Sequence, residues 1–294
     1  SNSRMKLFLL CSLSVAPLVS SLVLGSLRAP VVRARTDRCV SSRAAALQCV
    51  AACATLRSSR ARMAHTDELA ATLLRADVLH DDKQSAELFE LVVPLAASQP
   101  GNVELLWRSA RAHHDLADDL ADEPARREQL LRDGLGIAQA ALEAHPDNGM
   151  CHKWAGILLG ALGEFLPTKE KVGNAFIIKT RLETAAALRP DDSSVQLALG
   201  EWAFKVAGIS FIERNAAKLL FGSPPEATYD DALAYFSRSS ELKPSKKAAY
   251  KAALSCQKLR RAEEARQWAR DTLDLPAAGE ADAETDRLAS AMLK

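Results

Sequence analysis

The tripeptide His113-His114-Asp115 sets two imidazoles beside a carboxylate, the residue types of a general base or a metal site. Adjacent positions on a helix diverge by about 100°, so the two rings cannot share a face. That spacing supports ordinary surface or partly buried histidines. Asp118, Asp119, Asp122 and Glu123 lack the alternating ligands and turn glycine of a calcium loop, and read as a solvated helix end. Cys49 and Cys53 have no second cysteine pair or nearby histidine to complete a zinc site, and Cys151 and Cys256 stand alone in helical patterns. Neither His-Glu-x-x-His nor a Gly-x-Ser-x-Gly elbow occurs. The chain is therefore read as a non-enzyme, with no catalytic residues, metal or cofactor.

A second set is basic and central: Lys153, Lys169, Lys171, Asn174, Lys179, Arg181 and Arg214. Lys171, Asn174 and Ile178 recur at three and four, hence on one helical face, and Lys153 adjoins Trp154. Lys153, Trp154, Lys171, Asn174, Lys179 and Arg214 are expected to form a groove for an anionic group. Ammonium groups supply charge there and Asn adds a directed donor. Phe211, Ile212, Leu219, Leu220 and Phe221 would then give apolar cover for an acyl chain. Two plainer readings stand beside this one: the lysines pair with Glu164, Glu170 and Glu183, and the apolar run plugs the fold's own interior.

The elements that carry these residues are helices. Thirteen Gly and twelve Pro in 294 residues, with Ala, Leu, Glu, Arg and Lys dominant, make an all-α composition. Prolines 100, 146, 190 and 244 each close an apolar helix and precede a polar turn, at spacings longer than the 34 residues of a tetratricopeptide hairpin. Leu199-Gly200 and Gly156 fall on the Leu-Gly position of that pattern, Ala141, Ala185 and Ala232 on its small positions, and Phe236 on its aromatic position. The spacing predicts helix pairs 66–79 with 83–98, 102–120 with 124–144, 148–163 with 172–188, 192–207 with 228–242, and 246–258 with 261–273. Pro94 is expected to kink or end its helix early. The run 211–221 is an inserted helix, and 281–293 caps the end. The fold class is an all-α, tetratricopeptide-like helical-hairpin solenoid over residues 65–294.

Net charge near +1 hides an asymmetry. Residues 1–64 hold ten Lys and Arg against one acid, Asp37, which leaves 28 bases and 36 acids in the remainder. An acidic body disfavours nucleic acid as a partner. Residues 7–27 carry no charge and are long enough to span a bilayer at 1.5 Å per residue. Residues 28–64 form a basic Arg/Ser/Ala-rich segment. Two readings fit: a membrane anchor (1–27) with a basic linker, or a cleaved signal followed by a transit segment, including a bipartite plastid-type address.

The runs HKWAGILLG (152–160), KEKVGNAFIIKTRLETAAALRPDD (169–192) and WAFKVAG…RNAAKLLFGSPPEATYDDALAYF (202–236) resemble the regulator of microtubule dynamics family over about Leu105–Leu275. The resemblance implies a non-enzymatic tetratricopeptide-like scaffold, associated with microtubules, the spindle or mitochondria. One branch of the family has an N-terminal outer-membrane anchor and a helical domain implicated in phospholipid binding at membrane contacts. A microtubule or adaptor partner, and an anionic phospholipid, are thus the expected partners. Tubulin's acidic outer surface would have to be met by a local basic patch, the leader or an adaptor rather than by the acidic body as a whole.

Overall fold

Three turns repeat the same local chemistry. In Gln99-Pro100-Gly101-Asn102, His145-Pro146-Asp147-Asn148 and Arg189-Pro190-Asp191-Asp192, the amide of the fourth residue donates to the carbonyl of the first, at 2.9, 3.1 and 3.1 Å. Proline at the second position presets the φ that such a turn requires. The fourth residue then caps the next helix, its side chain accepting from the amide of Glu104, Met150 or Ser194. Pro244 sits in a shorter version in which Ser245 caps by accepting from Ala248.

The computed structural model describes residues 66–210, 214–215, 218–219, 225–277 and 280–294, and no strand occurs among them. Eleven helices are labelled here. They are α1 (66–81), α2 (Ser85–Ser98), α3 (Val103–Asp118), α4 (Pro124–Ala144), α5 (Gly149–Leu162), α6 (Thr168–Leu188), α7 (Ser193–Ala207), α8 (Tyr229–Leu242), α9 (Lys246–Lys258), α10 (Ala262–Asp274) and α11 (Glu280–Ala291). Each expected pair is present. Helix α2 runs through Pro94 to Ser98, the end that the predicted pair gave, so the alternative of an early end at Pro94 does not hold; one missing donor is tolerable where the surrounding helix packs well. One boundary differs from the sequence reading: helix α6 starts at Thr168, a turn before the expected 172, because extended Pro167 opens it and accepts from Lys171 at 3.1 Å. Of the expected inserted helix, residues 214–215 and 218–219 are helical, and the rest lies outside the described residues.

Consecutive helices pack as antiparallel hairpins, α3 with α4, α5 with α6, α7 with α8 and α9 with α10. The first helices α3, α5, α7, α9 and α11 also touch in succession and form an inner layer, while among the described residues α4, α6, α8 and α10 make no such contacts with one another. Small residues let the layers close. A Cβ on Gly200 would sit 2.5 Å from the Phe236 ring, and one on Gly156 would sit 2.9 Å from Leu182. Phe236 is fully buried among Leu199, Trp202, Ala203 and Ala232, where the repeat register puts it. The first hairpin is tied on by charge: Asp77 of α1 takes a two-point contact from Arg108 (3.0 and 2.6 Å) and another from Arg111 (2.8 Å). At the other end α11 packs on α9 and α10, and Asp286 meets the buried Lys246 ammonium at 2.6 Å.

Candidate binding face

Lys153 is buried on α5, where its ammonium lies 3.0 and 3.2 Å from the carboxylate of Asp192, the cap of α7. Arg189 and Ser194 complete that carboxylate's shell, at 3.3 and 2.6 Å. Burial by itself would raise the Asp192 pKa; Lys153, Ser194 and Arg189 outweigh it and hold the carboxyl at about 2. Trp154 is buried as well, its ring 5.7 Å from that of His114 and 6.5 Å from that of His80. Both residues are thus engaged within the inner layer.

The remaining members of the expected groove stand elsewhere. The Gly156–Leu182 approach sets Lys153 level with Ala185 in the antiparallel hairpin. Lys171 lies about 14 residues further along α6, or ~21 Å at 1.5 Å per residue. Lys171 is exposed, and Asn174 is half-buried. Lys179 lies 5.5 Å from the Trp202 ring centre and 3.7 Å from Glu183, the ion pair that the plainer reading expects. The Trp202 indole N–H donates to the Ala175 carbonyl at 2.9 Å, fastening α7 to α6. Arg214 donates to the carbonyls of Val206 (3.1 Å) and Pro225 (3.4 Å), so it clasps the two ends of the segment after α7. Lys179 is thus beside Trp202 on the α6–α7 side, whereas Lys153 and Lys171 are not brought together. Of the apolar cover, Leu219 is exposed, while Phe211, Ile212, Leu220 and Phe221 lie outside the described residues. Phe176 and Ile177 on α6 are also exposed.

His113 and His114 diverge as their spacing requires. The His113 ring bonds the Ser109 carbonyl at 2.8 Å and packs on Phe89, and burial pushes its pKa down. His114 turns to Trp154, while Asp115 lies 2.6 Å from His80. Cys151 and Cys256 are buried free thiols, and burial chiefly, with Glu104 second, lifts Cys151 to about 11. Both behave as small apolar residues. No group of three or more His, Cys, Asp or Glu suited to a metal occurs among the described residues.

The inner layer also presents residues that the sequence reading passed over. Glu201 and Lys205 stand one turn apart on α7, and Lys247 and Lys251 one turn apart on the neighbouring α9. Lys247 lies 2.9 Å from Glu201. Burial opposes both charges, yet each partner outweighs it, so Lys247 is raised and Glu201 lowered. The signal was in the repeat register: both pairs fall on first helices of hairpins, which line one surface. A polar cleft of 560 Å³ opens at the start of the same layer, between Asp77, Trp107, Arg108, Asn148, Met150 and Arg189. Its cations are already matched by Asp77, Glu104 and Asp192.

Comparison with known proteins agrees with the helical framework. The family model for regulator of microtubule dynamics protein 1-3 matches residues 72–294. Regulator of microtubule dynamics protein 1 of Mus musculus is 33% identical over 187 residues, 63% of this chain and 61% of the relative. Regulator of microtubule dynamics protein 3 of Xenopus laevis is 31% identical over 231 residues, 77% of this chain and 50% of the relative. The chain spans between about half and three fifths of the length of these relatives. Among solved structures, a thermophilic TPR protein of Thermus thermophilus superposes with a TM-score of 0.54 at 15% identity, covering 76% of this chain and 97% of that one. That likeness establishes the tetratricopeptide-like fold, and the family match over most of the helical body shows that the chain belongs to the regulator of microtubule dynamics protein 1-3 family.

Proposed function

We propose that this chain is a non-enzymatic scaffold that associates with microtubules, directly or through an adaptor, by the inner face of its helical repeats. The observation that carries the reading is the layer of first helices: it is packed against the second helices on one side, and on the neighbouring α7 and α9 it carries the exposed or half-buried charges of Glu201, Lys205, Lys247 and Lys251. The relatives' names supply the microtubule. The acidic body makes a local contact necessary, because long-range repulsion from an acidic polymer is screened only beyond roughly 8–10 Å. On this reading the chain works on microtubules or spindle, or on the cytoplasmic face of an organelle membrane such as that of the mitochondrion, with residues 7–27 as the anchor. Co-sedimentation of the full chain with polymerised tubulin tests it. Saturable pelleting is expected, directly or on addition of cell extract; a chain that stays in the supernatant under both conditions contradicts it.

A second reading rests on α6. Phe176 and Ile177, each 47% exposed, lie in the same helix as Lys171 and Lys179, and Leu219 is 86% exposed. Apolar side chains flanked by ammonium groups suit an anionic phospholipid. In this reading Lys171→Glu with Lys179→Glu lowers flotation with anionic liposomes and leaves the helical spectrum unchanged. Equal flotation of wild type and variant removes it. Among the described residues no helix is long and apolar enough to cross a membrane.

A further inference from the structure

Arg108, Arg111, Lys153 and Lys246, the buried cations of the inner layer, each meet a carboxylate. Arg108 and Arg111 share Asp77, Lys153 has Asp192, and Lys246 has Asp286. The α7–α9 cluster breaks that pattern. Glu201 is the carboxylate in ion-pair contact with this cluster among the described residues, and Lys247 occupies it at 2.9 Å, with Asp118 acting on Lys247 from farther off. Lys205 is exposed and Lys251 half-buried, and neither ammonium group has an ion pair or hydrogen bond among the described residues. Three ammonium groups against Glu201 and the more distant Asp118 leave a local excess of positive charge in a body that is acidic as a whole. Burial lowers the Lys251 pKa, as do Lys247 and Lys205, with only Glu201 acting against them. The free state is electrostatically unrelaxed, and an added carboxylate would relieve it.

We propose that Lys205, Lys247 and Lys251 form a docking site for an acidic polypeptide segment lying along the inner face, its carboxylates supplying the partners that this cluster lacks. This inference deepens the scaffold reading and rests on it for the use of the inner face. Two spacings favour an extended peptide. Lys247 and Lys251 are one helical turn apart, about 6 Å, close to the ~6.8 Å between alternate residues of an extended chain. Lys205 sits on the next helix of the layer, and packed helices lie about 8–10 Å apart, near three extended residues. A broad polyanion such as a nucleic acid or a charged bilayer would meet the net negative charge of the body around this small cluster. Residues 1–64, with ten bases and one acid, are excluded as the occupant by sign.

The test is fluorescence anisotropy of the full chain with a labelled deca-glutamate peptide, as the free acid and as the C-terminal amide. Wild type should bind, and binding should weaken steeply with salt. Lys247→Glu with Lys251→Glu should weaken it at least about tenfold, and exposed Lys205→Ala by about threefold. Lys169→Glu with Lys171→Glu on α6, an equal charge change at exposed positions elsewhere, should stay within about twofold, which separates this site from attraction by the basic leader. Glu201→Gln should tighten binding by about threefold, because it removes the competing carboxylate; a merely structural cluster would show no such gain. Binding of both peptide forms assigns an internal acidic segment, and binding of the free acid alone assigns a chain terminus. Equal affinity of wild type and the Lys247/Lys251 variant, or no gain from Glu201→Gln, overturns the proposal. Co-sedimentation with microtubules, run on the same proteins, separates the two claims. Pelleting without peptide binding removes only the acidic-segment inference, and peptide binding without pelleting removes only the microtubule reading.

Discussion

Gly200 and Phe236 form one unit of packing in which the missing Cβ of one makes room for the ring of the other. Truncating Phe236 to Ala should cost about 3–5 kcal/mol, a buried-aromatic value. Adding a methyl at Gly200 should cost about 1–3 kcal/mol by overpacking. The pair should be strongly non-additive, since the truncated side chain leaves space for the new methyl. Urea unfolding of the two single variants and the double variant measures this, and strict additivity would mean that the two residues are not partners. Both positions were legible in the sequence because the tetratricopeptide pattern demands a small residue and an aromatic one at that spacing. The fate of Lys153 was not legible. Its charge suggested a ligand, and only the fold reveals that Asp192, 39 residues away, is waiting for it. The pair has a pH signature. The folded Asp192 carboxyl lies at about 2, below its ordinary 3.8. Its contribution is therefore complete above about pH 4 and lost as pH falls towards about 2; the difference of nearly two units corresponds to roughly 2 kcal/mol. Asp192→Asn keeps the helix cap and removes the charge. The stability gap between it and wild type should narrow as pH falls through that window, and a gap independent of pH would show that the ion pair contributes nothing.

Helix boundaries followed from turn chemistry. Pro-x-Asn and Pro-x-Asp marked three starts of inner helices because the proline shapes the turn and the next polar side chain caps. Where the sequence reading slipped, by one turn at Thr168, no side-chain pattern reports that a helix begins directly after a proline in extended conformation. Tertiary packing decides that. Two hairpin turns use a different device: Lys83 and Arg260 adopt left-handed backbone, φ 60° and 59°. The Gln84 amide reaches back to Leu79 at 2.8 Å and the Arg261 amide to Cys256 at 2.9 Å, so both helices close in Schellman fashion. A side chain other than glycine is strained there by about 1 kcal/mol. Arg260→Gly should thus raise stability by up to about 1 kcal/mol, offset in part by the freer unfolded chain. Thermal unfolding followed by circular dichroism would register it as a higher Tm; a lower Tm would mean that the Arg260 side chain makes a contact worth more than the strain.

At the scale of the molecule, stacking determines which charges meet. Glu201, Lys205, Lys247 and Lys251 are unremarkable in sequence, two i,i+4 pairs on two helices about 40 residues apart. They become a cluster because α7 and α9 are neighbours in the inner layer. The sequence reading sought a groove in the α5–α6 hairpin instead, where antiparallel packing sets Lys153 and Lys171 far apart along the hairpin. All-α architecture, hairpin order and the terminal cap could be read from periodicity and motif alone, since each repeat shows its register locally. The proposed binding surface could not, since it belongs to no single repeat. Hydrogen exchange of the full chain with and without saturating microtubules tests that surface most directly. Recognition through the inner face predicts slowed exchange in the second half of α7 and the first half of α9, around residues 201–207 and 246–251, with α6 unchanged. Protection confined to α6 and the residues before 65, with α7 and α9 unaffected, would contradict it.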